Sequence, residues 1–292
     1  MVGNGVCAVI VTFSPGGAVL HNVAAIRAQV EALVVVDNGS PIDTLGRLRA
    51  IREEMSFALL ENGDNCGVAA ALNTGVRWAL SRGYQWVALF DQDSTSSDGM
   101  IDRMIREYDL SPNPEKVAIV MPKHIEKGSG IWIRPFVTYD GSPLIAITSG
   151  SLIPRRTFDQ CGGFEEDLFI DCVDDEYCFR ARTLGYTICL CEEATLYHAV
   201  GAPKERRFLG IRKFTTLNHR AERRYYIARN NIVMFRRYWK RFPRWCIKDG
   251  FSWAKEFAKV ALVEDDRRYK LSMIALGIFD GLRGRMGPVV KM

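Results

Sequence analysis

The chain has 292 residues, 48% apolar and 25% charged, with a net charge of +5, values that suit one large globular domain or one domain plus an appendage. No apolar run is long enough and free enough of charge to cross a bilayer, and no low-complexity segment or internal repeat is present. The opening "MVGNGVCAVIVTF" lacks a basic leader and a small-residue cleavage site, and its apolar run reads better as a first strand than as a signal peptide.

The continuous apolar run 6–12 predicts a strand buried on both faces. After Pro15-Gly16-Gly17, Val19, Val23, Ile26 and Val30 recur at helical spacing. A second strand is expected at 32–37, stopped by Asn38-Gly39-Ser40-Pro41, and Leu45, Leu48 and Ile51 mark a second helix. A short strand at 57–60, a helix at 68–83 closing on Gly83, and a strand at 85–90 follow. Strands alternating with helices predict an α/β fold with a mostly parallel sheet. Beyond residue 110 the rhythm breaks. Strands are expected at 116–121, 143–153 and 186–191, a loop or hairpin at 122–142, and a helix at 174–185. From about 211 onward the pattern reads as helical and basic.

The charge is unevenly placed. Residues 1–200 carry 16 Lys+Arg and 26 Asp+Glu, whereas 201–292 carry 23 and 8. A basic C-terminal part suggests an anionic partner or packing against the acidic body. "IVMFRRYWKRF" interleaves cations with aromatics, and Leu271, Ile274, Ile278 and Leu282 form an apolar stripe. Both suit a helix on a membrane surface, and both also suit packing within the protein or against another subunit. The eight cysteines form no C-x-x-C pair and read as reduced residues of a cytoplasmic protein.

In a parallel α/β sheet, ligands bind beyond the carboxyl ends of the strands. Four expected strand ends here are polar: Thr12-Phe13-Ser14, Asp37 to Ser40, Glu61 to Gly67, and Asp91-Gln92-Asp93. Gly39 and Gly67 would let backbone approach a ligand closely. Phe13 could pack against a base, and Asp37 could accept from an imide N–H. Asp91 and Asp93 share one side of an extended chain, where each raises the other's pKa unless a cation such as Mg²⁺ or Mn²⁺ lies between them. The plainer reading is that one of them caps the helix starting near Asp98.

The stretches "VIVTFSP", "VVVDNGS", "NGDNCGVAAALNTG", "FDQDS", "TSGSLI", "GGFEEDLFIDCVDDEYCFRARTLGY", "LYHAVG" and "RRYYIARNN" occur in this order over residues 6–235. Together they resemble the inverting glycosyltransferases of family 2, with the GT-A nucleotide-sugar fold, and within them the bacterial rhamnosyltransferases. The resemblance implies that Thr12, Phe13 and Asp37 hold a pyrimidine base, and that Asn65, Gly67 and Asn73 frame the nucleotide. Asp91 and Asp93 would touch ribose and a divalent cation, with His198 completing the metal shell. Gln92 stands where many members carry a third acid, a form familiar in the rhamnosyltransferase branch.

The same resemblance places a catalytic base at Asp174, with Asp171, Asp175 and Glu176 as competitors. A first-turn acidic cluster favoured by the helix dipole is the structural alternative. Arg224 and Arg229, with Tyr225, lie on a helix whose guanidinium groups suit donor phosphates or form a solvated basic face. The implied reaction is transfer of L-rhamnose from dTDP-rhamnose to a saccharide acceptor, which in such enzymes is often polyprenyl-diphosphate-linked, in O-antigen-type envelope polysaccharide synthesis. The expected organisation is a catalytic domain over 1–210, with donor site 1–110 and acceptor and base region 111–210, followed by basic helices over 211–292. The expected location is cytoplasmic, peripheral at the inner face of the membrane, with a homo-oligomer open and no nucleic acid bound.

Two rivals fit parts of the pattern. "FDQDST" matches the D-x-D-x-T of haloacid-dehalogenase-like phosphatases, with Asp91 as nucleophile, Asp93 as acid, Asp174-Asp175 on Mg²⁺ and Lys123 as the phosphate lysine. A non-catalytic membrane adaptor would rest on the basic C-terminal part alone. A nucleotidyltransferase would need a basic Gly-rich loop after the first strand, which "TFSPGG" does not supply.

Overall fold

The computed structural model describes residues 5–138, 141–198, 204–208, 212–216 and 218–289, with backbone only at 204–208 and 212–215. The end of "LYHAVG", at 199–201, lies outside them. The chain forms two compact units. One comprises residues up to 166 together with 173–199, and the other comprises 167–172 together with residues from 200 onward. The sequence reading divided the chain at 210/211.

The first unit is built on one sheet. β1 (Val6–Thr12), β2 (Ala32–Asp37), β3 (Ala58–Glu61) and β4 (Trp86–Asp91) are parallel in the order β3-β2-β1-β4. They are joined by α1 (Val19–Arg27), α2 (Ile42–Ile51) and α3 (Val68–Ser81), the crossovers that parallel pairing requires. The expected rhythm of this half is present. Strand residues such as Val6, Ala8, Ile10, Leu33, Val35, Ala88 and Phe90 join one core with Val23 and Ile26 of α1. Met100 and Met104 of α4 (Met100–Leu110) belong to the same core.

The other half of the sheet departs from the reading. β6 (Val117–Glu126) runs past the expected strand, and its pairing with β7 (Trp132–Ile133) is the hairpin expected within 122–142. Residues 143–153 were expected as one strand, but only β8 (Leu152–Pro154) is extended pairing, antiparallel to β4 and β6. Leu144 and Ala146 are buried without joining the ladder, so burial imitated a strand. β9 (Thr187–His198) follows α6 (Val173–Thr183), pairs parallel with β6 and carries β5 (Thr95–Ser96) on its far side.

In the second unit an antiparallel hairpin, β10 (Lys204–Phe208) and β11 (Arg212–Thr216), occupies part of what read as helical. Three helices follow: α7 (Ala221–Tyr238), α8 (Pro243–Val263) and α9 (Arg267–Arg283). A Cβ on Gly277 or Gly281 of α9 would come within 2.4 Å of Tyr225 O and 2.7 Å of Arg229 O, so α7 and α9 meet backbone to backbone. Three of the four residues of the α9 stripe offered to a membrane belong to the core, while Leu282 is exposed. Ile274 is 3% exposed and packs with Ala228 and Val260, and Leu271 and Ile278 rest on the same cluster. Among the described residues no helix is long and apolar enough to cross a membrane.

Candidate functional site

Register brings the polar strand ends together. Thr12 lies beside Asp37, Asp37 beside Glu61, and Val11 beside Asp91, so one edge of the sheet carries the row. Strand order reverses direction between β1 and β4, the crevice where open α/β sheets bind ligands. Gln92 and Phe13 span that crevice: Phe13 N donates to Gln92 Oε1 at 2.8 Å and Gln92 Nε2 donates back to Phe13 O at 3.3 Å. Phe13 itself is exposed.

Asp37 is buried and accepts from Thr12 Oγ1 at 3.3 Å, from the amides of Gly39 at 3.2 Å and Ser40 at 2.9 Å, and from the Ser40 hydroxyl. These bonds aim and satisfy a carboxylate that would be costly to bury bare. Asn38, which the sequence offered only as part of a turn and a polar strand end, organises the next loop. Its Nδ2 donates to Asn65 Oδ1 at 3.1 Å and Gly67 O at 3.2 Å, and its Oδ1 accepts from Asn62 Nδ2 at 3.1 Å and Cys66 N at 3.2 Å. Gly39 has φ +89°, and a Cβ there would lie 2.6 Å from Asn65 N, so only glycine lets the two loops close. Asn65 Oδ1 also accepts from Gly67 N at 3.0 Å. Asn73 sits differently: its amide is taken up by Phe164 N and O, both at 2.8 Å, and by Glu166 at 2.9 Å. It ties α3 to the segment before α6.

Beyond β4, ligand atoms of Asp91, Asp93 and His198 all lie within 4.8 Å of one another. Among the described residues neither acid has a Lys or Arg ion pair; Lys127 Nζ reaches the Asp93 carbonyl instead, at 2.6 Å. Burial pushes the Asp91 carboxyl up to about 6, with Asp93 and Asp174 adding to the rise and His198 opposing it. Two serines missed in the sequence hold this cluster. Asp91 N donates to Ser149 Oγ at 3.0 Å, Ser149 Oγ donates to Ser94 Oγ at 2.8 Å, and Ser94 Oγ meets His198 Nδ1 at 2.9 Å. With Nδ1 occupied by Ser94, Nε2 is the ring nitrogen left for a cation. Two carboxylates and an imidazole therefore fit a divalent ion. The only earlier sign of Ser149 was its place in "TSGSLI".

Asp174 lies in the first turn of α6 and accepts from Asp175 N at 3.1 Å. It is the acid of this turn whose charge reaches Asp91. Two of its three competitors pair with arginines. Glu176 is buried against Arg180 at 2.7 Å, and Asp171, within the second unit, pairs with Arg223 at 2.9 Å.

Arg224 and Arg229 depart from the donor-phosphate reading. Both are buried in the second unit. Arg224 pairs with Glu264, which also takes Lys270 at 2.9 Å. Arg229 donates to the carbonyls of Asp167 and Leu168, both at 2.9 Å, and to Gly287 O, while Gly287 N donates to Asp167 O at 2.9 Å. Asn230 Nδ2 takes the carbonyls of Leu168, Ile170 and Asp171. Phe169 stacks on Tyr226 with ring centroids 4.8 Å apart. The segment so gripped holds Phe169, Asp171 and Cys172 at φ of 67°, 64° and 61°, a strained backbone that persists only where its surroundings over-determine it. The fork chemistry that suits phosphate is spent on carbonyls.

Residues 7–164 match the model of the family "Glycosyl transferase family 2". The chain is 29% identical over 255 residues to the dTDP-rhamnosyl transferase RfbF of Shigella flexneri, a match covering 81% of each chain. Among solved structures it resembles the mannosyltransferase PcManGT from Pyrobaculum calidifontis, in complex with GDP-Man and Mn²⁺, at TM-score 0.57 and 16% identity, over 95% of this chain and 75% of that one. It also resembles GalNAc-T7 with UDP, GalNAc and Mn²⁺, at TM-score 0.61 and 13% identity, over 95% of this chain and 56% of that one. At these identities the structures speak for the fold alone, a GT-A-like α/β architecture.

Proposed function

Since the chain belongs to glycosyl transferase family 2, a nucleotide-sugar glycosyltransferase family, we propose that it moves L-rhamnose from dTDP-rhamnose to a saccharide hydroxyl, with inversion at the anomeric carbon. The named activity of the Shigella relative supports the donor. The observation that carries the reading is the Asp91–Asp93–His198 cluster at the crevice edge, two acids and an imidazole whose ligand atoms lie within 4.8 Å of one another. The family match gives no support to the phosphatase and adaptor alternatives, and Asp91 ends the fourth strand of its sheet in chain order rather than the first.

Asp37, aimed by Thr12 and Ser40, would accept from the imide N–H of thymine, with Phe13 against the ring. Asn38 and Asn65 would hold the loop beside the ribose. Asp91, Asp93 and His198 would hold a divalent cation, Mg²⁺ or Mn²⁺, which when bound neutralises the diphosphate and makes it a better leaving group. Asp174 would take the proton of the acceptor hydroxyl as its oxygen attacks the anomeric carbon from the face opposite the diphosphate. The positive charge that develops on the sugar resembles that in glycoside hydrolysis. A polyprenyl-diphosphate-linked acceptor would set the enzyme at the cytoplasmic face of a membrane, and self-association is compatible with this reading.

Radiolabelled donors with Mn²⁺ or Mg²⁺ test it. Transfer from dTDP-rhamnose and not from UDP- or GDP-hexoses is expected, and the reverse preference refutes the donor.

A further inference from the structure

Apart from Phe257, the exposed residues of α8 keep to one side of the helix. Arg244, Ile247, Lys248, Phe251, Lys255 and Leu262 are all exposed and keep to one face over about five turns. Phe251 is 67% exposed, Ile247 50% and Leu262 43%. The opposite face carries Trp245 and Val260, both buried, and partly buried Trp253 packs against the cluster of Ala228, Val260 and Ile274.

The charges divide the same way. The two acids of α8, Asp249 and Glu256, are both turned from the outer face. Glu256 takes Lys259 at 2.5 Å and lies 3.9 Å from Arg224, and burial raises the Asp249 carboxyl. Every charge that α8 itself carries on this face is therefore a cation, and large apolar side chains stand between the cations.

We propose that this outer face of α8 docks on an anionic lipid surface, with Arg244, Lys248 and Lys255 at headgroup phosphates and Ile247, Phe251 and Leu262 in the acyl boundary. The helix is amphipathic and no helix among the described residues spans a bilayer, which is the composition of an interfacial helix. A second copy is a poorer occupant, because a twofold interface sets a patch against itself and would face these cations with cations. The proposal rests on the lipid-linked acceptor reading for its biological setting, but its chemistry stands on α8 alone. It also moves the membrane contact from the α9 stripe, most of which is packed inside, to the helix before it.

Full-length protein is sedimented with phosphatidylcholine vesicles and with vesicles containing phosphatidylglycerol, without donor or acceptor, so the outcome is independent of the sugar assay. Partitioning at least about tenfold stronger on the anionic vesicles, weakened by salt, is expected. The double variant Lys248→Glu/Lys255→Glu should lose that preference, and Phe251→Ser should weaken binding on both vesicle types. Far-UV dichroism and melting temperature should match wild type for both variants. Wild-type protein that ignores anionic vesicles overturns the proposal, as does a folded charge-reversed variant that binds like wild type. A dimer in solution that Phe251→Ser dissociates, without vesicle binding, would assign the face to a second copy instead.

Discussion

Asp91 and Glu264 are both acids drawn out of water, and their surroundings treat them in opposite ways. Glu264 is fully enclosed in the second unit. Burial alone would raise its pKa, yet hydrogen bonds from Thr216 and Lys270, with the charges of Arg224 and Lys270, hold it below the usual carboxylate range. For Asp91 burial raises the pKa to about 6, Asp93 and Asp174 add to the rise, and only His198 opposes it. One acid has its counter-charges supplied by the chain. The other, among the described residues, has no Lys or Arg paired with it at the edge of a crevice, which is where a fold leaves room for a cation from outside.

The sharpest way to break this comparison is to neutralise each side. Asp93→Asn should lower transfer about a thousandfold or more, worth roughly 4 kcal/mol of barrier, while the melting temperature stays near wild type. Near-normal turnover in steady-state assays would remove the cation from this site. Glu264→Gln should do the converse, destabilising by about 3–5 kcal/mol in urea titrations because Arg224 and Lys270 are left buried without their partner. Because the folded pKa of Glu264 is depressed, its contribution is present above the unfolded value and is lost as pH falls through the folded one. Acid unfolding of the variant should therefore lack part of the wild-type slope.

Smaller effects sharpen the picture. Ser94→Ala should weaken Mn²⁺ binding about 10–100-fold in calorimetry with thymidine diphosphate, by releasing His198 Nδ1, and Ser94→Thr should restore most of it. The smallest concerns Asp91 without metal. Its folded pKa is raised, so between the unfolded value and about 6 the folded state holds the extra proton, and stability falls as pH rises through that window. Asp91→Asn should accordingly raise metal-free stability by about 1–2 kcal/mol above pH 6, read as a higher melting temperature. An unchanged or lower value would mean that Asp91 carries no such strain.

The parts of the fold legible in the sequence were those where one physical cause acts locally. β1, β2 and β4 are apolar runs ended by polar residues, and parallel pairing then brings those ends to one edge. Ser149 could not be found this way, because its hydroxyl gains meaning only when Gly150 N bonds Leu89 O and the loop lies against β4. Arg229 misled for a related reason. Phosphate oxygens and backbone carbonyls satisfy the same guanidinium fork, and only tertiary structure decides between them. The β10–β11 hairpin was hidden because its segments are as cationic as the helices after it. The α9 stripe was read correctly as apolar, but its partner turned out to be α7 and α8.

The Gly287 contacts have a practical consequence. Its carbonyl takes the Arg229 guanidinium and its amide bonds Asp167, so residues at the very tail brace the strained turn that leads into α6. Shortening the chain from that end, or fusing a bulky tag hard against it, would unsettle a stretch far earlier in the sequence. A flexible spacer, or a tag at the opposite terminus, is the safer engineering choice.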